Sequence, residues 1–355
     1  MKDAPLLLMS RAIELAKKAR NMTLPNPRVG AVVFDDDGRI LGEGYHQRFG
    51  SDHAEVNAIN SALSNGHDVK GKNLCVTLEP CNHHGKTPPC SDAIINAGIG
   101  NVYIGTNDDC TAVCGKGVSK LISSGINVRT GILEKECREI NPGFHKYNNT
   151  GLPFVRIKMA VSLNSVMGST WFTGEIARER VHELRSYSDL IITGLGTIKK
   201  DNPKFTARIK DGVLTNRVLI LDEDLELYDL YNSKELNVIN SGNKVIVATG
   251  SNRRINNNDV QIIRTELNNE GLIDLRTLIP ILTEQLKARE IMIEAGPRLT
   301  SSFIEDALDM IDKFNIFVAP LELEEGNKLN ITPKLIIEKQ EMLENTLAVE
   351  GHFDI

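Results

Sequence analysis

Between His46 and Cys90 the chain concentrates side chains that bind metals or move protons. Five of its eight histidines, His46, His53, His67, His83 and His84, fall between positions 46 and 84, and Cys75, Cys81 and Cys90 lie in or just beyond that stretch. His53-Ala54-Glu55 opens a segment of helical periodicity, Pro80-Cys81 follows an apolar extended run, and Cys90 precedes another helical pattern. One imidazole and two thiolates fill three of zinc's four positions and leave the fourth for water, which is the catalytic arrangement. Water on such a metal yields hydroxide near neutral pH. Glu55, two residues past the histidine, can reach that water without ligating the metal, take its proton and hand it to a leaving amine. A closed structural site, with His83 or His84 as fourth ligand, is the competing reading, and ordinary buried cysteines beside a surface histidine the blandest. All the parts occur in order at strand-to-helix junctions, which favours the catalytic zinc. Cys110 and Cys114 form a second pair at four-residue spacing. No further ligands cluster near them, and they read as small core or loop residues.

The elements that must position these groups alternate between helix and strand. Residues 5–20 carry a 3.6 period, and Pro25-Asn26-Pro27 ends that helix. Strands over 29–34 and 40–45 flank the turn Asp35-Asp36-Asp37-Gly38. Helices are expected over 53–63, 89–97 and 116–123, and strands over 74–78, 102–105 and 126–129. Asn-Asn-Thr-Gly-Leu-Pro at 148–153 is the best linker, dividing the chain into domains over 1–147 and 154–355. The second half continues with strands over 154–160, 190–193, 217–221, 244–248, 291–294 and 314–319. Helices span 175–187 and 274–287, and a third runs from Pro297 to about 308. Both halves therefore read as α/β.

Composition narrows the function. The 355 residues are 41% apolar and 25% charged, with 41 basic against 47 acidic residues and a net charge of −6. A chain-wide basic footprint is missing, which argues against nucleic acid as a partner and against a nucleic-acid-editing enzyme. No apolar run reaches 18 residues, so no membrane span is expected. The first 20 residues lack the apolar block of a signal peptide, and a cytoplasmic protein is the expectation. α/β enzymes of small molecules often assemble symmetrically, so a homo-oligomer is possible, while the sequence does not give the oligomeric state.

Two long runs carry a resemblance. Gly42-x-Gly44-x-His46 … Gly50-x-x-His53-Ala54-Glu55, followed by Thr77-Leu78-Glu79-Pro80-Cys81-Asn82-His83-His84-Gly85-Lys86-Thr87-Pro88-Pro89-Cys90, resembles the deaminase half of the bifunctional riboflavin-biosynthesis deaminase/reductase family. Pro25-Asn26-Pro27-x-Val29-Gly30 belongs to the same pattern. The general zinc-deaminase signature pairs His-x-Glu with Pro-Cys-x-x-Cys. Here the cysteines stand nine positions apart, the long loop of this one branch. The resemblance implies a cytidine-deaminase-like three-layer sandwich. Its reaction would be zinc-dependent hydrolytic deamination of 2,5-diamino-6-ribosylamino-4(3H)-pyrimidinone 5′-phosphate. It assigns zinc to His53, Cys81 and Cys90, the proton shuttle to Glu55, and the base and phosphate to Asn26, His46 and Lys86. Where the family usually reads Asp-Pro-Asn-Pro, this chain reads Asp108-Asp109-Cys110-Thr111, a departure that touches substrate contacts more than zinc chemistry.

After residue 150 the residues alone say less, because Gly194-Leu195-Gly196-Thr197 is a weak signal by itself. Lys158-x-Ala160-x-Ser162-Leu163, Leu184-Arg185, Gly194-x-Gly196-Thr197, Asp201-Asn202-Pro203 … Ala207-Arg208 and Glu294-Ala295-Gly296-Pro297 are similar to the reductase half of the same family. That similarity implies a dihydrofolate-reductase-like domain that uses NADPH to reduce the ribosyl group to ribityl. Lys158, Asp201 and Glu294 would line the reaction centre. Ser169, Arg185, Phe205, Arg208 and Glu294 would bind the phosphorylated substrate, and Val161, Trp171, Thr197, Asp201 and Gly296 the cofactor. Helix amides beginning near Arg298 would meet a cofactor phosphate. Pattern alone leaves NADPH against NADH open. Asn164-Ser165 replaces the family's Asp-Gly, and Trp171 arrives about six residues early. These departures keep a second reading in view: a deaminase alone, with its C-terminal domain serving binding or assembly.

Overall fold

The computed structural model describes residues 4–83, 88–109, 115–167, 173–233, 235–253, 260–324, 326–329 and 334–354. The chain divides into two compact units, Met1–Gly151 and Leu152–Ile355.

The first unit runs α1 (Ala4–Lys17), β1 (Gly30–Phe34), β2 (Ile40–Tyr45), α2 (Ala54–Ser64), β3 (Asn73–Leu78), α3 (Cys90–Asn96), β4 (Asn101–Thr106), α4 (Lys116–Ser123), β5 (Asn127–Arg129), α5 (Glu134–Glu139) and α6 (Pro142–Thr150). Its sheet has the order β2-β1-β3-β4-β5, antiparallel through β2-β1-β3 and parallel from β3 to β5. Alternate residues of β1 feed two cores. Ala31 and Val33 pack with Ala58, Ile94 and Leu121 from α2, α3 and α4, while Val32 and Phe34 pack with Met9 of α1 and Cys137 of α5. This is a helix–sheet–helix sandwich. Glycines set the spacing of its layers: a Cβ on Gly44 would lie 2.3 Å from the Ala58 nitrogen, and one on Gly42 2.3 Å from that of Ala62. Only glycine lets α2 sit this close to β2, and α2 carries the His53–Glu55 end.

The second unit runs β6 (Phe154–Ser162), β7 (Val166–Met167), α7 (Glu175–Tyr187), β8 (Leu190–Gly194), α8 (Leu195–Asp201), β9 (Ala207–Ile209), β10 (Gly212–Leu214), β11 (Arg217–Leu221), α9 (Glu226–Ser233), α10 (Asn237–Asn240), β12 (Lys244–Thr249), β13 (Val260–Arg264), α11 (Leu275–Leu286), β14 (Glu290–Glu294), α12 (Pro297–Asp306), a 3-10 turn (Leu308–Met310), β15 (Lys313–Ala319), β16 (Asn327–Lys328), β17 (Leu335–Leu343) and β18 (Thr346–Phe353). Nine strands form one sheet in the order β13-β12-β11-β8-β14-β6-β15-β18-β17. Pairing is parallel from β13 to β15, and β18 and β17 close the edge antiparallel. One face packs Leu278, Leu282 and Phe303 of α11 and α12. The other packs Leu195 and Ile198 of α8 with Val218 and Ile220.

One expectation changes. The stretch 148–153 is not all linker, because α6 runs to Thr150, with Pro142 at its start and Gly151 at φ 75 ending it. A Pro start and a left-handed Gly stop delimit this helix, and its polar composition hid the period. Lys158 sits on β6 in the middle of the sheet.

Candidate active sites

In the first unit three strand-to-helix junctions converge. His53 precedes α2, Cys81 follows β3, and Cys90 opens α3. Their ligand atoms all lie within 4.8 Å of one another. His53 Nδ1 stands 3.1 Å from Cys90 Sγ and 3.6 Å from Cys81 Sγ. The edges of a tetrahedral zinc site, built from Zn–S of about 2.3 Å and Zn–N of about 2.0 Å, run to about 3.6 Å. The donor set and its spacing therefore fit zinc. The Cys81 thiol is held down to about 4, first by its hydrogen bond with Cys90 and then by His53, against the opposing effect of burial. Glu55 is buried in the first turn of α2, and burial first, then the Cys81 charge, pushes its carboxyl up to about 7.

His53, Glu55 and Cys81 line a cavity of about 310 Å³ together with Asn26, His46, Glu79 and Asp108. His46 is buried, and burial lowers its pKa, so its ring is neutral there. Its Nδ1 lies 3.1 Å from the Asp52 carbonyl and its Nε2 3.4 Å from Asn26 Nδ2. With Nδ1 donating to the carbonyl, Nε2 accepts from the Asn26 amide. His46 and His53 meet edge to face, with centroids 5.1 Å apart. Lys86 lies outside the described residues, as do His84, Cys110 and Cys114.

The sequence reading missed several groups here. The buried Glu79 carboxylate accepts from the amides of Asp108, Gly115, Gly117 and Val118 at 3.0–3.3 Å, so it caps the start of α4 and joins it to the loop after β4. Asp109 accepts from Arg138 at 2.6 Å, His145 Nδ1 at 2.9 Å and Asn149 at 3.0 Å. Burial alone would raise Asp109, but hydrogen bonds from Arg138 and His145 hold it below the usual carboxylate range. Its neighbour Asp108 and the α6 residues Phe144 and Asn148 all line the cavity. Glu79 stood inside the quoted motif as a legible signal, whereas Asp109 carried none.

In the second unit, register pairs Glu294 at the end of β14 with Lys158 on β6. Arg185 of α7 binds Glu294 through two bonds, Nε at 2.8 Å and Nη2 at 2.7 Å, and Lys158 Nζ lies 3.3 Å away. Burial would push the Glu294 carboxyl up, but the charges of Arg185 and Lys158 outweigh it and hold it down to about 2. The Arg185 guanidinium also donates to the Thr206 carbonyl at 3.1 Å and lies 5.5 Å from the Phe205 ring centroid. A cavity of about 480 Å³ gathers Lys158, Arg185, Asp201, Phe205, Arg208 and Glu294. His182, unmarked in the sequence, lines it too, and burial, Arg185 and Arg208 hold it down to about 4, hence neutral.

A second cavity of about 610 Å³ runs past Gly194–Thr197, Leu221 and the start of α12. Both cavities are lined by Met167, Thr197, Asp201, Gly296 and Pro297, so they meet there. The size, the glycine-lined wall and the exposed amides at the start of a ten-residue helix fit a dinucleotide. Val161 is the exception among the expected cofactor residues: it is buried in the core and lines neither cavity. Ser169 and Trp171 lie outside the described residues.

Fold and sites together define a zinc deaminase domain followed by a dinucleotide-binding reductase domain. Residues 4–106 match the family model for the cytidine and deoxycytidylate deaminase zinc-binding region, and residues 153–339 that for the RibD C-terminal domain. The chain is 36% identical to riboflavin biosynthesis protein RibD of Aquifex aeolicus, over 90% of this chain and 87% of that protein. It is 36% identical to the Escherichia coli protein of the same name, over 88% and 86%. The solved diaminohydroxyphosphoribosylaminopyrimidine deaminase/5-amino-6-(5-phosphoribosylamino)uracil reductase of Thermotoga maritima superposes with a TM-score of 0.86, at 35% identity and 99% coverage of both chains. The chain belongs to the RibD family, whose reductase domain is of the NADPH-binding type. Among the described residues, no helix is long and apolar enough to cross a membrane.

Proposed function

We propose that this chain performs two successive steps of riboflavin biosynthesis on one phosphorylated pyrimidine. The first unit deaminates 2,5-diamino-6-ribosylamino-4(3H)-pyrimidinone 5′-phosphate, and the second reduces the ribosyl group of the product to ribityl. The observation that supports this best is that one chain gathers both sets of groups, His53, Cys81 and Cys90 beside Glu55, and Lys158, Glu294 and Arg185 in the smaller of the second unit's two cavities.

His53, Cys81 and Cys90 would hold a zinc ion, which would supply the Lewis acidity that lets water give up a proton near neutral pH. Glu55 takes the proton of the attacking water and delivers it to the departing amine, so ammonia leaves as a neutral molecule. Neutral His46 and Asn26 hold the pyrimidine ring in register. In the second unit the cavity past Gly194–Thr197 and Gly296 would hold a reduced nicotinamide, NADPH in this family, which would supply the hydride for C1′ of the ring-opened imine. Glu294 fixes Lys158 and Arg185, and the Lys158 ammonium donates a proton to the imine nitrogen, which becomes the amine as C1′ is reduced. Arg208 has no side-chain partner among the described residues and is suited to the substrate phosphate.

Asn164-Ser165 bears on the reading of a degenerate reductase. Ser165 takes φ 61, the conformation glycine holds without strain, yet the turn closes. Asn164 Nδ2 donates to the Leu323 carbonyl at 2.9 Å, and Ser162 Oγ accepts from the Val166 amide at 3.1 Å. This favours a working reductase. Cys75 and Cys137, which lie outside the zinc set, are free thiols, which supports a reducing, cytoplasmic setting.

The direct test is Glu55→Gln, which should retain zinc by elemental analysis and lose ammonia release by about 10³-fold. Wild-type turnover in that variant would remove the proton shuttle from the account.

A further inference from the structure

The larger cavity of the second unit holds an acidic group where the far end of a dinucleotide would lie. The hydride end is set by the Lys158–Glu294 pair on β6 and β14. In the sheet, β8 and then β11 follow β14. The start of α12 and Gly194–Thr197 line the cavity at the ends of β14 and β8, and Leu221 and Glu223 line it at the end of β11. A dinucleotide laid across these strand ends puts its pyrophosphate at the helix start and its adenosine ribose near β11, two strand spacings or about 10 Å further on.

Glu223 is held firmly there. Asp222 accepts from the Glu226 and Leu227 amides at 3.0 and 2.7 Å, which fixes the turn, and Thr249 Oγ1 donates to the Glu223 carbonyl at 2.8 Å. The Glu223 side chain is half-buried, and among the described residues its carboxylate has no hydrogen-bond or ion-pair partner. The nearby lysine that also lines the cavity, Lys199, is paired with Glu226. Arg298 belongs to the first turn of α12, on the pyrophosphate side.

We propose that Glu223 reads the adenosine ribose of the cofactor, accepting a free 2′-hydroxyl and repelling a 2′-phosphate, so that this chain binds NADH in preference to NADPH. A carboxylate at the ribose is the device of NAD sites, and an arginine nearby that of NADP sites. Like charge beside the ribose acts as discrimination by repulsion. The inference rests on the second unit being a nicotinamide-dependent reductase, and it reverses the preference that family membership implies.

The test is calorimetric titration of the full-length, zinc-loaded chain with NADH and with NADPH in the absence of substrate. NADH should bind about tenfold tighter. Glu223→Ser should tighten NADPH about tenfold and weaken NADH a few-fold. Lys200→Ala, which removes the other cavity lysine, should leave the NADH-to-NADPH ratio unchanged. Tighter NADPH binding by the wild type, an unchanged ratio in Glu223→Ser, or loss of NADPH binding in Lys200→Ala would overturn the assignment to Glu223 while leaving the reductase reading intact. Binding of neither dinucleotide would overturn both.

Discussion

The two sites are assembled on different principles. In the first unit the essential groups span 38 positions, from His53 to Cys90, and each sits at the junction of a strand or loop with a helix. In the second unit Lys158 and Glu294 are 136 positions apart and become neighbours only through the register of two parallel strands. A metal site tolerates local construction because the ion supplies the central charge and draws the ligands together. A reductase centre without a metal needs its charges balanced by the protein, and here one buried carboxylate answers two cations. The first site should therefore fail by losing its ion, and the second by losing its charge balance.

The largest effect follows from the metal. Cys81→Ala leaves two protein ligands, and deamination should fall by about 10⁴-fold with loss of bound zinc. Dinucleotide binding to the second unit should be unchanged by calorimetry, and its loss would mean that the two sites are not independent. The next effect tests charge balance. Glu294→Gln leaves Arg185 and Lys158 buried without their counter-charge, which should cost about 3 kcal/mol in urea unfolding and about 10²-fold in reduction, with ammonia release unaffected. The same carboxylate predicts a pH dependence. Its folded pKa lies below the ordinary value, so its contribution is fully present above about pH 4.5 and disappears as the pH falls toward 2. Unfolding free energies measured between pH 5 and 3 should fall more steeply for the wild type than for Glu294→Gln. The smallest effect concerns Ser165. Replacing it with glycine removes left-handed strain of about 1–2 kcal/mol but adds chain entropy to the unfolded state. A net gain of about 0.5 kcal/mol in urea midpoint analysis is expected, and destabilisation would show that the serine is held there by more than its turn.

Legibility in the sequence follows the same contrast. The zinc ligands and Glu55 could be read directly, because each stood next to an element boundary that periodicity marks. Strands β6, β8, β11, β12 and β14 could also be read from their apolar runs, whereas β7, β9, β10 and β13 could not, and no spacing says that β14 lies between β8 and β6, so convergence of Lys158 and Glu294 came only through resemblance. α6 escaped because its face is largely polar. The Asp109 cluster escaped because its partners Arg138, His145 and Asn149 are ordinary helix residues until α5 and α6 pack beside the β4 loop. Glu223 escaped because an acidic residue after a strand looks like any solvated turn. Val161, assigned to the cofactor through resemblance, belongs by its side chain to the core.

The central claim, two sequential reactions in one chain, is tested most directly by a split assay on zinc-loaded protein. The diaminopyrimidinone ribotide is supplied alone, with NADPH and with NADH, and ammonia and nicotinamide oxidation are followed separately. Ammonia release should be equal in all three, and nicotinamide oxidation should begin only after ammonia appears. Ammonia without oxidation of either nicotinamide would contradict the account and leave the second unit without a reductase role.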